Sequence, residues 1–134
     1  MRIALDADVC IFATTPTPWT ADVRATIADA DLFGSVLLPV EVLAKPRRLG
    51  ATSELAALEA LLAHVRLLPV TAATAVLATE LAAAHRLPSM DAVHLATAIE
   101  ARADVFLTNN TKDFGGITVD GPAIVSPHDR QAPT

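Results

Sequence analysis

Four carboxylates stand at the ends of four separate apolar segments: Asp6, Glu41, Asp91 and Asp113. Carboxylates drawn from distant parts of a chain into one pocket repel one another unless a cation neutralises them. Hard oxygen ligands suit Mg²⁺ or Mn²⁺. A Mg²⁺ pocket with open coordination positions is a place for phosphate-ester chemistry. The set makes this case; single members have ordinary explanations. Asp91 lies two residues after Ser89, in the first turn of an expected helix, where free N–H groups and the helix dipole favour a carboxylate. Glu41 near a helix start is equally ordinary. Asp6 is different, because a charge ending a buried strand needs a partner.

The elements that must position these residues are short. Arg2–Leu5 reads as a buried strand running into Asp6, and Asp8–Ala13 bends into a short helix. Thr20–Leu32 can be a helix capped by Thr20, with Val23, Ile27 and Ala30 on one face. Ser35–Leu38 is the second expected strand, and Pro39 opens a helix that carries Glu41 and stops near Pro46. In Ser53–Val65, Leu55, Leu58, Leu61, Leu62 and Val65 recur at helical spacing. Arg66–Val70 reads as a strand. Thr71 caps a helix to about His85, with Val76, Leu77, Leu81 and Ala84 inward. After Leu87-Pro88, Ser89 caps a helix whose inner face is Ala92, Leu95, Ala96 and Ile99. Val105–Leu107 and Ala123–Val125 complete the strands, and the tail from about residue 127 is expected to fray. Alternating strands and helices imply one α/β domain over residues 1–134, with a mainly parallel sheet of four to five strands. Ligands in such sheets bind beyond the carboxyl ends of the strands, the edge on which all four acids can converge.

Composition narrows the function. The chain has 134 residues, 52% of them apolar, which suffices for a core. Cys10 is the single cysteine, so no disulfide framework or cysteine zinc site is available; in the run Val9 to Phe12 it reads as a small core residue. The formal net charge is −5, and the chain has no Tyr and one Trp. Bulk charge therefore does not attract a polyanion, and a base-stacking platform is disfavoured. Any nucleic-acid contact needs a local patch. Lys45, Arg47 and Arg48 form the best one, although positive charge at a helix C-terminus explains them as well. Asp6 arrives too early for a secretory apolar region, and no apolar run approaches the roughly 18 residues of a membrane span. The expectation is a cytoplasmic chain without membrane association.

Several neighbours remain open on spacing alone. Asp8 shares a face with Asp6 if the strand continues, and otherwise caps the next helix. Thr108 is a hydrogen-bonding neighbour of the site or a turn residue. His94, three residues after Asp91, reaches the pocket rim or is a partly exposed helix residue. His64, His85 and His128 show no ligand spacing.

Together these segments resemble the PIN-domain ribonucleases, and among them the toxins of the bacterial VapBC toxin–antitoxin pairs. IALDADV is similar to the family's strand followed by Asp, any residue, then Asn, Ser or Asp. SVLLPVEVLAKP resembles its second motif, with Ser35 ahead of an apolar strand and Glu41. LPSMDAVHLATAIEARADVFLTNNTKDF resembles the third and fourth run together. One departure stands out. Where many PIN domains have an acid two positions after the strand-ending threonine, this chain has Asn110, with Asp113 three further on.

The resemblance implies a three-layer α/β/α fold and a metal-dependent endoribonuclease toxin. Asp6, Asp91 and Asp113 would ligate one or two Mg²⁺ or Mn²⁺ ions, with Glu41 acting directly or through water, and these four would be the catalytic residues. Asp113 would touch the metal, reach it through water, or only orient Asn110. Asp8, Ser35, Thr108 and Asn110 would support the ligands from behind. In-line hydrolysis of RNA would leave 5′-phosphate and 3′-hydroxyl ends. The implied partners are an RNA substrate, a cognate antitoxin that shares the Lys45, Arg47 and Arg48 region, and a second copy in a homodimer. Two alternatives differ in class: a PIN domain that binds RNA without cutting it, and a haloacid-dehalogenase-like phosphatase, whose Asp-x-Asp signature Asp6 and Asp8 match out of register.

Overall fold

A computed structural model of the chain describes residues 1–127; the expectations for the tail and for His128 fall outside them. Among the described residues five strands form one sheet: β1 (Arg2–Leu5), β2 (Asp31–Ser35), β3 (Val65–Leu68), β4 (Val105–Leu107) and β5 (Ala123–Val125). Seven helices connect and flank them: α1 (Ala7–Thr14), α2 (Thr20–Ile27), α3 (Leu38–Leu49), α4 (Thr52–Leu62), α5 (Ala72–His85), α6 (Ser89–Glu100) and α7 (Thr111–Phe114). The strand order is β3-β2-β1-β4-β5 and every pairing is parallel.

Strand alternation divides the apolar residues between two cores. Ile3 and Leu5 of β1 join Leu32, Val65, Val105 and Leu107 on one face, covered by Val9, Val23, Val42 and Leu58 from α1 to α4. Ala4, Phe33 and Phe106 point to the other face, covered by Ala78 and Leu81 of α5 and Ala92, Leu95 and Ala96 of α6. A sheet clothed by helices on both sides gives three layers, and its strands read as near-continuous apolar runs.

Local expectations shift in several places, among them Val65, which opens β3 instead of closing the preceding helix, and Ser89, which follows Pro88 at the cap position of α6 and makes no capping bond. The second strand ends at Ser35 instead of beginning there, because Leu32 and Phe33 pair with Ile3 and Ala4 of β1. The helix before it stops at Ile27, with Trp19 rather than Thr20 at its cap position. Helix α3 runs through Pro46 to Leu49 and ends where Gly50 turns left-handed at φ 65°. Proline forfeits one helical hydrogen bond, and here its ring is buried. In α5 the buried residues are Thr74, Ala78 and Leu81, whereas Val76 is exposed. An alanine-rich helix carries weak phase information, and the reciprocal Thr71–Thr74 capping box fixes its start.

The topology fixes where a ligand can sit. From β1 the chain steps outward through β2 to β3, then returns to β4 on the other side of β1. At this reversal the loops after β1 and β4 diverge and leave a crevice at the carboxyl edge of the sheet.

A candidate metal centre at the carboxyl edge

Asp6 leaves β1 at the crevice and is the N-cap of α1, its backbone N–H donating to Leu107 of β4 at 3.0 Å. It is 3% exposed. Its Oδ1 accepts the Ala7 N–H at 2.9 Å and its Oδ2 accepts the Thr108 hydroxyl at 2.7 Å. The Thr108 oxygen in turn accepts the Asn110 N–H at 3.0 Å. The Asn110 side-chain amide donates to Asp91 Oδ2 at 3.2 Å and to Asp113 Oδ2 at 2.8 Å. Three carboxylates from β1, α6 and α7 are thus joined through one threonine and one asparagine.

Asp8 lies inside the first turn of α1, so a helical turn and not strand alternation brings it beside Asp6. The helix cap is Asp6. Asp8 Oδ1 accepts the Asn109 N–H at 3.1 Å. Asp6, Asp8, Glu41, Asp91, Asn109 and Asn110 line one open cleft of about 360 Å³. Asp113 does not line it; its contact is Asn110, which it also meets as the first helical turn of α7, donating its backbone N–H to Asn110 Oδ1 at 3.2 Å.

The charges in the cleft oppose one another. Burial raises the Asp6 carboxyl above its ordinary range, outweighing the Thr108 hydroxyl bond, and the Asp91 charge adds to the rise. Asp8 is pushed up to about 6, first by burial and then by the Asp6 charge. Asp91 is raised by burial, then by the charge of Asp113. Asp6, Asp8 and Asp91 resist ionisation first because they are buried and then because other acids stand near them, a penalty that a bound cation offsets.

The residues fit a hard divalent cation in donor chemistry. Every side-chain ligand on offer in the cleft is an oxygen, and Asn109 holds a buried Oδ1 that accepts no hydrogen bond from the described residues. Their present arrangement is not a closed cage: among the described residues no three His, Cys, Asp or Glu side chains are set to hold a metal ion.

Glu41 sits in the first turn of α3 and crosses the cleft to α6, where its Oε1 is 2.6 Å from His94 Nε2. The imidazole is buried, its side chain 1% exposed against 31% for Glu41. This overturns both sequence readings of His94, at the rim or on the helix surface. The spacing of His94 three residues after Asp91 was the available signal; its partner is 53 residues away and invisible to any local pattern. Asn109 was missed for a similar reason, reading only as part of a polar turn.

The remaining candidates stand apart. Ser35 is buried, does not line the cleft, and accepts the Leu37 N–H at 3.1 Å, steadying the turn into α3. Lys45, Arg47 and Arg48 are exposed on α3 beyond Glu41 and do not line the cleft either. Arg47 borders a separate apolar groove with Pro39, Val40, Leu43 and Ala44. Cys10 is fully buried and its thiol is pushed up to about 12 by burial, as a core residue. No helix among the described residues is long and apolar enough to cross a membrane.

The fold is shared with solved toxin–antitoxin structures. It superposes on a chain of the toxin–antitoxin complex from Klebsiella pneumoniae with a TM-score of 0.73 at 20% identity, covering 93% of this chain and 97% of that one. A chain of VapBC2 from Rickettsia felis bound to a promoter DNA fragment gives 0.72 at 16% identity, covering 94% and 98%. A chain of DNA-bound VapBC from Salmonella typhimurium gives 0.72 at 18%, covering 95% and 98%. No curated protein sequence matches the chain. Residues 3–117 match the PIN domain family, and the chain with its acidic cleft at the sheet edge belongs to that family.

Proposed function

We propose that this protein is a metal-dependent endoribonuclease, the toxin of a toxin–antitoxin pair, acting as one PIN domain over residues 1–134. The observation that carries the reading is the convergence of Asp6 and Asp8 at the start of α1, Glu41 of α3 and Asp91 of α6 on one cleft. Membership of the PIN family, whose members are generally nucleases, agrees with it and removes the haloacid-dehalogenase alternative. Asp6 and Asp91 are the proposed direct ligands of Mg²⁺ or Mn²⁺, with Glu41 direct or through water. Asp113 acts through Asn110, which it holds against Asp91. A bound divalent cation would supply Lewis-acid stabilisation of charge on a phosphodiester and acidify water.

The chain's own residues prepare the site. Thr108 holds the Asp6 carboxylate, and the Asn109 N–H holds that of Asp8. The exposed cations Lys45, Arg47 and Arg48 offer contacts to RNA phosphates or to an acidic partner segment. Exposed Val40 and Leu49 beside them suit a partner chain, and the toxin–antitoxin context of the structural neighbours supports a cognate antitoxin. A homodimer in the cytoplasm belongs to the same reading.

The test is cleavage of total cellular RNA by the purified chain with Mg²⁺ or Mn²⁺, with EDTA, and with Asp6→Asn, mapping the 5′ ends of fragments. Discrete cuts bearing 5′-phosphates, lost in EDTA and in the variant, are expected. Folded protein that binds RNA but leaves it intact with metal present would favour the non-catalytic alternative.

A further inference from the structure

We infer that His94 is a positioning residue for Glu41: its imidazole fixes one carboxylate oxygen from behind, so that the other is presented to the cation cleft. The inference rests on the metal-site reading above and extends it to a residue outside the acidic set.

Glu41 is a flexible side chain on a helix surface, and among the described residues its side chain meets Nε2 of His94, at 2.6 Å. A carboxylate accepts only, so Nε2 carries the proton and donates. His94 as a whole is 2% exposed, on a helix whose neighbours Leu95 and Ala96 are fully buried. Packing therefore fixes the donor, and the donor fixes the acid. His94 Nδ1 is buried with no hydrogen-bond partner among the described residues. A ring kept for architecture would be expected to bond at both nitrogens or to be replaced by an apolar residue. Here the hydrogen-bond partner that a buried imidazole finds among the described residues is the acid across the cleft. Because His94 shares α6 with Asp91, the same rigid element carries one acid and orients another.

The alternative role is purely electrostatic, and it predicts the opposite sign. A positive imidazole near the carboxylates would oppose cation binding, so its loss would tighten binding. Loss of a positioning donor weakens it.

The experiment is Mn²⁺ titration of the full chain by electron paramagnetic resonance, with thermal unfolding as a check on folding. His94→Leu is expected to weaken Mn²⁺ binding about tenfold. His94→Gln, whose amide nitrogen can reach the place of Nε2, should stay within about twofold of the parent, while the shorter His94→Asn should resemble His94→Leu. The Asn and Gln pair keeps the comparison available if the leucine variant does not fold. In a Glu41→Gln background, His94→Asn should add no further loss. Unchanged or tightened binding in His94→Asn, or an equal loss with Glu41→Gln already in place, overturns the inference. A parent chain that binds no Mn²⁺ defeats the metal-site reading and this inference with it, and is distinguished by failing before any variant is made.

Discussion

The two ends of the sheet carry open cavities of opposite chemistry. At the amino edge, about 270 Å³ is lined by Arg2, Phe33, His64 and Arg66 among others. At the carboxyl edge, about 360 Å³ is lined by four carboxylates and two asparagines. The amino-edge cations are relaxed. The Arg2 guanidinium lies 4.2 Å from the Phe33 ring centre and donates to the Ala101 carbonyl at the end of α6, and that of Arg66 lies 5.7 Å from the same ring. The carboxyl-edge acids are crowded, and burial raises Asp6, Asp8 and Asp91 together. The difference follows from parallel pairing. β1, β2 and β4 end on the same edge and run into helix starts there, so Asp6 caps α1 while Glu41 and Asp113 lie in first turns; Asp91 comes from the first turn of α6, which follows α5 and not a strand. Helix starts tolerate negative charge and helix ends positive charge. The amino-edge cavity holds Asp31 beside its cations, whereas the charged residues of the carboxyl-edge cleft are all acids and repel one another.

The largest break in this contrast is chemical. Asp91→Asn should cut metal-dependent RNA cleavage by about a hundredfold or more with little change in thermal midpoint; cleavage near the parent rate would remove Asp91 from the ligand set. Next, Thr108→Val deletes the hydroxyl that both donates to Asp6 and accepts from Asn110. The expected cost is about 2 kcal/mol in urea unfolding and about tenfold in cleavage, with Thr108→Ser retaining most of both; equal behaviour of Val and Ser would show that the methyl group, not the hydroxyl, matters.

Asp8→Asn should act in the opposite direction on stability. The folded carboxyl titrates near 6 against an ordinary 3.8, so folding holds its proton and charging it penalises the fold. That penalty is absent below about pH 4 and complete above about pH 6. In EDTA, Asp8→Asn should therefore match the parent at pH 4 and exceed it by about 1–3 kcal/mol at pH 7. A difference that does not vary across this window would mean Asp8 is not under charge repulsion. The smallest effect is expected at the other edge: Arg66→Ala should change unfolding by no more than about 0.5 kcal/mol and leave cleavage unchanged, and a large cleavage loss would give the amino edge a part in RNA binding.

Much of this arrangement was legible from local chemistry. The β1 run into Asp6, the Thr71 cap, the helix opening at Ser89 and the strand Val105–Leu107 follow from apolar runs, hydroxyl caps and proline breaks, which act over a few residues. Where local signals were thin, boundaries moved. Leu32 continues an apolar pattern that fits helix or strand, and pairing with β1 decided for strand. The leucines of α4 face inward to different depths: Leu58 is fully buried, Leu61 and Leu62 pack against its cluster, and Leu55 is half-buried.

The sequence by itself determined that acids end apolar segments, that the segments alternate strand and helix, and that the acids therefore favour one edge of a parallel sheet. Only the tertiary structure decided that β1 lies between β2 and β4, which sets Asp6 against Thr108 across 102 residues of chain. It alone turned His94 inward to Glu41 and joined Asp91 to Asp113 through Asn110. Periodicity and caps report the backbone's nearest neighbours. Partners of buried polar atoms are chosen when distant elements pack and each lost contact with water must be replaced.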